Sequence, residues 1–259
     1  TQADEKAIRT LIKEHLPSIK STEAERETLR IALVALQIII DKEHLTRIAE
    51  KAYQQTKKDT HQAMEGFIHN LNTMHSRAGA QTPFSSVNYG MDTSPDGRMV
   101  IKNMLLATEE GLGSGETPIF PVQIFRVKEG VNYNPEDPNY DLFKLACRVS
   151  AKRLFPNFSF LDAPFNLQYY RPGDNDSEVA YMGCRTRVMG NVYDPSREVT
   201  CGRGNLSFTT INLPRLGIEA HGDLQKFFSM LDDRIDLCIE QLLHRFKIQC
   251  SKKVYNYCL

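Results

Sequence analysis

The stretch PIFPVQIFRV, residues 118–127, is followed after a short polar connection by DPNYDLFKLACRVSAKRL, residues 137–154. The first stretch is a short apolar run with prolines at its start, which is typical of a buried strand. The second carries its apolar residues at helical spacing, which predicts a helix. A strand that leads into a helix is the unit from which parallel sheets covered by helices are built.

The same alternation continues on both sides of this pair. The other predicted strands are TPFSSVNYG (82–90), Phe158–Leu161 and NLSFTTINLP (205–214), and the other predicted helices are RMVIKNMLLATEEGLG (98–113) and residues 223–246. We therefore predict an α/β fold with a parallel sheet, either open or closed into a barrel. In such folds, chemistry is expected at the C-terminal ends of the strands and in the loops that follow them.

The residues before Gly79 are predicted to be helical. A first helix ends at Pro17, Thr22 and Glu25 fit a capping box that starts a second, and a third runs from about His44 to Met74. The run IALVALQIII (31–40) is apolar on nearly every face, so a helix there is expected to lie between packing partners.

Composition excludes several classes of protein. The chain has 259 residues, 41% of them apolar and 25% charged, with 32 basic and 32 acidic side chains. This balance gives no support for a nucleic-acid or membrane partner, and no segment reads as a signal peptide or a membrane span. Six cysteines without any C-x-x-C pair indicate reduced thiols, a cytoplasmic location and no structural zinc site.

The long polar stretch 162–204 contains YMGCRTRVMGN (181–191) and is expected to be a functional loop. Its Cys184 has four readings from the residues alone: a buried apolar residue, half of a disulfide, a metal ligand or a reactive thiol. Gly183 permits a close backbone approach, and Arg185 and Arg187 are able to pair with carboxylate or phosphate.

Three other polar segments each have a structural and a functional interpretation. GLGSGE (111–116) resembles a phosphate-binding loop, but ending the preceding helix with glycine is the favoured reading. GRGNLS (202–207) is a turn or a ligand-facing segment, and HSRAGAQTPFSS (75–86) is capping chemistry or the lining of a ligand site. The remaining candidates are assigned to the core or the surface: Cys147, Cys238 and Cys250 as core thiols, and His61, His69, His221 and His244 as surface or core histidines.

Three long blocks of sequence carry a family resemblance. They are HSRAGAQTPFSSVNYGMDTSPDGRMVIKN, GETPIFPVQIFRVKEGVNYNPEDPNYDLFKLACRVSAKRLFPNFSFLDAPFN and YMGCRTRVMGNVYDPSREVTCGRGNLSFTTINLPRLGIEAHGD. Over about residues 60–247 the chain resembles the anaerobic (class III) ribonucleoside-triphosphate reductases of the glycyl-radical superfamily. The resemblance implies a partial β/α barrel of the ten-stranded glycyl-radical type, preceded by a helical segment.

The resemblance also implies roles for particular residues. In this family the cysteine that matches Cys184 lies at the tip of a finger loop, becomes a thiyl radical and takes the 3′-hydrogen of a ribonucleotide. Asn205, 21 residues beyond Cys184, matches an asparagine that contacts the ribose. Catalysis is thus expected at Cys184 and Asn205, and substrate binding at Ser85, Ser86, Arg185 and Gly204.

Cofactors and partners follow from the same resemblance. The family uses a glycyl radical, a C-terminal zinc site and ATP or deoxynucleotide effectors, and a radical-SAM enzyme activates it. The R-x-x-G-Y motif, the paired zinc cysteines and the ATP cone do not occur in these 259 residues, so we expect a fragment that binds none of these cofactors and is inactive alone. Its expected partners are ribonucleoside triphosphates, deoxynucleotide effectors and a second copy of itself.

The expected organisation has three parts: a helical dimerisation and effector segment (1–79), a partial barrel with the finger loop (80–247) and a divergent tail (248–259). One alternative is a catalytically silent, truncated paralogue that acts as a nucleotide-binding or dimerisation module. A third reading, a glycyl-radical lyase, is disfavoured because such enzymes do not share the MGCRTRV and GRGNLS blocks.

Overall fold

The computed structural model describes residues 2–75, 82–174, 177–183, 186–188, 194 and 207–253. The chain divides into two compact units, residues 1–201 and 202–259, and each is described by itself. In the first unit the described elements are α1 (Gln2–His15), α2 (Glu23–Val34), α3 (Lys42–Thr73), β1 (Ser86–Tyr89), α4 (Pro95–Glu110), β2 (Val122–Val127), α5 (Tyr140–Arg153), β3 (Asn157–Phe160), α6 (Pro164–Leu167), β4 (Ala180–Met182) and β5 (Thr186–Val188). The second unit contains α7 (Leu213–Ala220) and α8 (Leu224–Ser251).

Strands β1, β2 and β3 form a parallel sheet in that order, with β2 in the middle. Ser86 pairs with Val122, and Ile124 pairs with Asn157. Helix α4 connects β1 to β2 and α5 connects β2 to β3, which is the arrangement that parallel neighbours require. The α/β alternation predicted from residues 118–154 is therefore confirmed.

The two faces of this sheet differ in chemistry because side chains alternate along each strand. Phe125 and Val127 of β2 lie on one face and are almost fully buried. They belong to a core cluster formed with α4 and α5, whose other buried members are Ile101, Leu105, Leu142, Ala146 and Val149. The opposite face carries the polar Ser86, Asn88 and Arg126, together with the buried Val122 and Ile124 of β2.

The second helix of the chain, α2, begins with the capping box that the sequence predicts. Thr22 Oγ1 accepts a hydrogen bond from the Glu25 amide at 3.2 Å, and the Glu25 carboxylate accepts one from the Thr22 amide at 2.7 Å. These reciprocal bonds are the predicted capping box. Further along, α3 packs on α4 through Ile68, Met104 and Ala107.

The apolar run 31–40 does not form the predicted buried helix. Helix α2 ends at Val34, Gln37 adopts a left-handed conformation with φ 59°, and the Ile38 amide donates to the Leu33 carbonyl oxygen at 3.1 Å. This six-to-one bond is a Schellman-type helix ending, which returns Ile38 to the cluster around Leu33. Ile39 is consequently 90% exposed.

The segment predicted as a strand at 205–214 has no strand in its described part, residues 207–214. Asn212 instead caps α7, because its Oδ1 accepts a hydrogen bond from the Arg215 amide at 3.0 Å. Pro214 follows in the first turn, where its missing N–H costs nothing. The predicted long helix is confirmed as α8, and Arg245 of that helix donates to the Phe208 carbonyl oxygen at 3.0 Å.

Two further expectations need correction. The stretch 162–204 is not simply a loop, since it contains α6 and the antiparallel hairpin β4–β5. The cysteines assigned to the core are not there: Cys147 and Cys250 are exposed, and Cys238 is half-buried. Each lies on a helix as predicted, but helical periodicity alone does not say which side of the helix faces a partner.

Within the described ranges, no helix has the length and apolar composition to cross a membrane.

The core beneath the sheet provides a test of the fold. We expect Leu105→Ala, at a fully buried position of α4, to lower the free energy of unfolding by about 2–5 kcal/mol, because the lost contacts leave a cavity. Val100→Ala, on the same helix but 48% exposed, is the control and should change it by less than about 0.5 kcal/mol. Urea unfolding of the three proteins measures both. Equal losses would contradict the placement of α4.

Candidate functional site

The polar face of β1 is where the hairpin that leads to Cys184 is attached. Ser86 and Asn88 are two residues apart, so their side chains lie on the same face of the strand. Val87 and Tyr89 lie on the other face, where they pack against the cluster that holds Ile68. Strand β1 therefore separates an apolar layer of helices from a polar surface that receives the hairpin.

The side chain of Asn88 binds the hairpin through two hydrogen bonds. Its Nδ2 donates to the Tyr181 carbonyl oxygen at 2.7 Å, and its Oδ1 accepts from the Tyr181 amide at 3.0 Å. The amide group thus pairs with one residue of β4 as a neighbouring strand would. Because both backbone groups of Tyr181 are satisfied, β4 has a fixed position over the sheet.

A second attachment lies at the end of β4 nearest to Cys184. The Gly183 amide donates to Ser86 Oγ at 3.0 Å. Gly183 has φ +68°, and a Cβ atom built there would lie 3.3 Å from the Phe84 ring. Glycine supplies both the left-handed conformation and the space for this contact, as the close approach predicted from the sequence requires.

Strands β4 and β5 pair in an antiparallel register, with Met182 opposite Thr186. In the sequence, Gly183 at the end of β4 and Thr186 at the start of β5 flank Cys184 and Arg185. Four predicted site residues lie outside the described residues: Cys184, Arg185, Gly204 and Asn205. The described residues on either side, Gly183 and Thr186, nevertheless give the positions of the two strands that flank Cys184 and Arg185.

The return strand β5 is attached by Arg187. Its guanidinium lies 5.0 Å from the centre of the Phe165 ring and donates to Asn166 Oδ1 at 3.3 Å. Asn166 is buried and donates to the Phe160 carbonyl oxygen at 2.7 Å, at the end of β3. Arg187 thus links β5 to the segment that follows β3.

An ion-pair network holds the chain just before β4. Glu178 accepts hydrogen bonds from Arg126 Nη1 at 2.7 Å and from Lys128 Nζ at 3.2 Å, and only 13% of its side chain is exposed. Lys128 also lies 4.8 Å from the centre of the Tyr170 ring. Burial alone would lower the pKa of Lys128, but hydrogen bonding to Glu178 and the charge of Glu178 raise it.

A buried chain of hydrogen bonds supports β1 from the helical side. The Tyr89 hydroxyl donates to Gln123 Oε1 at 2.7 Å, Gln123 Nε2 donates to Thr108 Oγ1 at 2.8 Å, and Thr108 is fully buried. Burial raises the pKa of Tyr89, so its hydroxyl stays a neutral donor at physiological pH. This chain joins β1, β2 and α4 without leaving a buried polar group of these three unpaired.

The C-terminal ends of β1 and β2 are occupied by internal hydrogen bonds. Asn132 donates to the carbonyl oxygens of Gly90 and Arg126, and Asn139 donates to that of Gly90. By contrast, the hairpin end that leads to Cys184 contacts Ser86, the first residue of β1. The described end of this hairpin therefore lies near the N-terminal end of β1, and the expectation that chemistry lies at the C-terminal strand ends stays a prediction.

The other candidates from the sequence have local structural roles. In the GLGSGE segment, Gly111 ends α4 with φ 87°, and the Glu116 carboxylate accepts from the Ser114 amide at 3.0 Å. The favoured reading as a helix ending is confirmed. The Ser85 hydroxyl donates to the Pro83 carbonyl oxygen at 3.3 Å, while its own carbonyl accepts from Val122 in the sheet ladder.

Asn88 and Glu178 position the hairpin, and neither was predicted from the sequence as a functional residue. Asn88 interrupts a predicted strand with a residue that is unfavourable there, and this was the available signal. Glu178 gave no such signal, because its partners Arg126 and Lys128 lie about 50 residues earlier in the chain.

A comparison with family models and a comparison with individual known proteins give the same result. A family model described as anaerobic ribonucleoside-triphosphate reductase matches residues 24–259. The chain is 35% identical over 199 residues to the anaerobic ribonucleoside-triphosphate reductase of Enterobacteria phage T4, which covers 75% of this chain and 32% of that protein. The protein of that name from Escherichia coli is 31% identical over 195 residues, covering 75% and 26%. That from Haemophilus influenzae is 32% identical over 190 residues, covering 73% and 26%. The chain thus spans about a quarter to a third of the length of these relatives.

The attachment at Ser86 is testable without a ligand. We expect Ser86→Ala to make the Gly183 amide exchange with solvent roughly fivefold faster, because losing one hydrogen bond costs about 1 kcal/mol. Ser85→Ala is the control and should leave this rate unchanged, since Ser85 does not bond to the hairpin in the described structure. Hydrogen exchange followed by nuclear magnetic resonance measures it. An unchanged rate in Ser86→Ala would show that this bond does not hold the hairpin.

Proposed function

The chain belongs to the anaerobic ribonucleoside-triphosphate reductase family, and from that premise we propose that it carries the radical cysteine of such an enzyme. In this proposal the hairpin β4–β5 is the base of the finger loop and Cys184 is the residue that reacts. The observation that carries it is the anchoring of Gly183, next to Cys184, on the polar face of a parallel sheet.

The proposed reaction starts with hydrogen-atom transfer. In the intact protein, the thiol of Cys184 would give its hydrogen atom to the family's glycyl radical, so that a C–H bond forms, the S–H bond breaks and the unpaired electron is left on the sulfur. The thiyl then takes the 3′-hydrogen from the ribose of a ribonucleoside triphosphate, the protonated 2′-hydroxyl leaves as water, and the Cys184 thiol returns a hydrogen atom to C3′ at the end of the cycle. A formate or thiol reductant supplies the two electrons that the deoxyribonucleotide gains. Asn205 orients the ribose during these steps.

Rigid placement matters for this chemistry because a thiyl radical must reach one particular C–H bond and avoid others. Three attachments in the described structure supply rigidity around Cys184: Asn88 to Tyr181, Ser86 to Gly183, and Arg187 to Asn166. Since hydrogen-atom transfer uses the thiol, the nearby arginines are not needed to form a thiolate. Their proposed role is to hold the loop, with substrate phosphate as a further partner for Arg185.

The proposal extends to the surroundings of the site. Strands β1–β3 are assigned to part of a ten-stranded β/α barrel whose inner face is the polar one, and residues 80–247 to that barrel. Ser85, Ser86 and Gly204 are proposed to line the substrate site. Ser86 has an additional proposed role, that of holding the hairpin, because its hydroxyl oxygen accepts a hydrogen bond from the Gly183 amide. Residues 248–259 are left as a divergent tail.

The role of Cys184 is testable in a chimera in which this chain replaces the matched segment of the phage T4 relative. We expect anaerobic ribonucleotide reduction by the activated chimera to fall to background in Cys184→Ser, because an alcohol does not form the radical. Cys147→Ser, at an exposed position of α5, is the matched control and should retain activity. Asn205→Ala should be slowed by about tenfold or more, as expected when a positioning group is lost.

An active Cys184→Ser chimera would refute the proposed role. Activity that is lost equally in Cys147→Ser would show that the substitutions act through folding. Deoxynucleotide products are measured directly by chromatography, so the result does not depend on a coupled assay.

The helical residues 1–79 are proposed to form the dimerisation and effector-binding segment, with deoxynucleotides as ligands and a second copy as partner. We expect the purified chain to elute as a dimer and to bind deoxynucleoside triphosphates in calorimetry, with neither property changed by Cys184→Ala. Sizing chromatography over a range of concentrations checks the first property.

The competing function is a silent nucleotide-binding or dimerisation module. Effector binding and dimerisation in this chain, together with an inactive but well-folded chimera, would favour the module. A monomer at high concentration that binds no deoxynucleotide would contradict both assignments of residues 1–79.

A further inference from the structure

A cluster of one histidine and two carboxylates lies where α3 crosses α4, away from the hairpin. His61 and Glu65 are four residues apart on α3, so they lie on the same side of that helix. Glu110 is the last residue of α4. His61 Nε2 lies 3.2 Å from Glu110 Oε2 and 3.9 Å from Glu65 Oε1. Tertiary packing thus brings together three groups that are separated by up to 49 residues.

The electrostatics of this arrangement favour an added cation. The ligand atoms of all three residues lie within 4.8 Å of one another, so the two carboxylates are close enough to repel. Glu110 also lies at the C-terminal end of α4, where the helix dipole disfavours negative charge. The Arg153 guanidinium donates to the backbone carbonyl oxygens of Glu109 and Glu110 at this end, and no described ion pair joins it to the Glu110 carboxylate. Its neighbour Glu109 has Arg148 as a bidentate partner. For Glu110 the described ion-pair partner is His61, whose imidazole is a cation only when protonated.

The geometry fits a small transition-metal ion. Two ligand atoms at about 2.0–2.1 Å from a tetrahedral zinc ion are roughly 3.3–3.4 Å apart. The distance between His61 and Glu110 is already close to this value, and the pair on α3 needs to close by about half an ångström. The two carboxylates lie within 4.8 Å of each other and need to close by up to about 1.4 Å, which requires rotation of their side chains. The ligand set of one imidazole and two carboxylates suits Zn²⁺ or a similar divalent ion.

We propose that His61, Glu65 and Glu110 form a binding site for a divalent transition-metal ion of the zinc class, with water completing the coordination. The site is separate from the catalytic proposal and does not depend on it. A quarter of the His61 side chain and about half of each carboxylate are exposed, so an ion reaches them from solvent. A bound ion links the long helix α3 to α4, which packs directly on the sheet.

Titration calorimetry of the full 259-residue chain with Zn²⁺ tests this site. We expect one ion per chain to bind at these residues, and His61→Ala and Glu110→Gln each to weaken binding by at least about tenfold, since losing even an outer-sphere partner costs 10- to 100-fold. His69→Ala is the matched control, because His69 lies two turns further along the same helix and contacts Thr73 instead. It should bind Zn²⁺ as the unchanged chain does.

Two further readouts separate this site from the cysteines of the chain. Co²⁺ bound by imidazole and carboxylate lacks the intense near-ultraviolet charge-transfer band that thiolate ligands produce. Zn²⁺ should also raise the unfolding temperature of the unchanged chain and of His69→Ala but not of His61→Ala, because a ligand that binds the folded state stabilises it. Circular dichroism establishes that each variant is folded.

Equal Zn²⁺ affinity and stoichiometry in the unchanged chain, His61→Ala and Glu110→Gln would overturn the proposal. So would the absence of Zn²⁺ binding by the folded, unchanged chain, or a thiolate band as the whole of the Co²⁺ signal. None of these results bears on Cys184, so the metal site and the reductase proposal fail independently.

Discussion

Strand β2 is hydrogen-bonded to a parallel neighbour on each edge, so its side chains have only the two faces of the sheet available. One face presents Phe125 and Val127 and is buried against α4 and α5, which provides the apolar contact that holds the layers together. The other face presents the buried Val122 and Ile124 together with Arg126, and the neighbouring strand adds the polar Ser86 and Asn88 to it. Because a strand cannot change which face a residue occupies without slipping its register, this division is fixed once the apolar face is buried.

The position of the hairpin follows from that division. Half-buried polar side chains cost free energy unless they are hydrogen-bonded. Asn88 therefore pairs with Tyr181, Ser86 with Gly183, and Arg126 with Glu178. The attachments are made largely to backbone groups of the hairpin, so they fix its path. The described residues on both sides of the proposed radical cysteine are therefore anchored, Gly183 to β1 and Arg187 to Asn166.

Elements with strong local signals were predicted from the sequence. The capping box at Thr22, the glycine that ends α4 at Gly111 and the strand that becomes β2 all depend on residues close together in the chain. Two other predictions from the sequence were wrong. The apolar run 31–40 has no periodicity to show where its helix ends, and a Schellman bond at Ile38 decides it. The stretch after residue 206 looks like a strand, but its Asn212 and Pro214 start a helix instead.

The sequence by itself determined the alternation of strands and helices, the family and the identity of the candidate radical cysteine, Cys184. These properties depend on the order of residues, from which local propensity and a family match over residues 24–259 both follow. Only the tertiary structure decided that Asn88 and Ser86 hold the hairpin, that Cys147 is exposed and that Glu110 meets His61. Those contacts join residues about 50 to 100 positions apart or depend on which side of a helix is covered. These contacts and exposures depend on how the elements pack against one another, and that packing is determined by contacts throughout the core and not by any one local stretch of sequence.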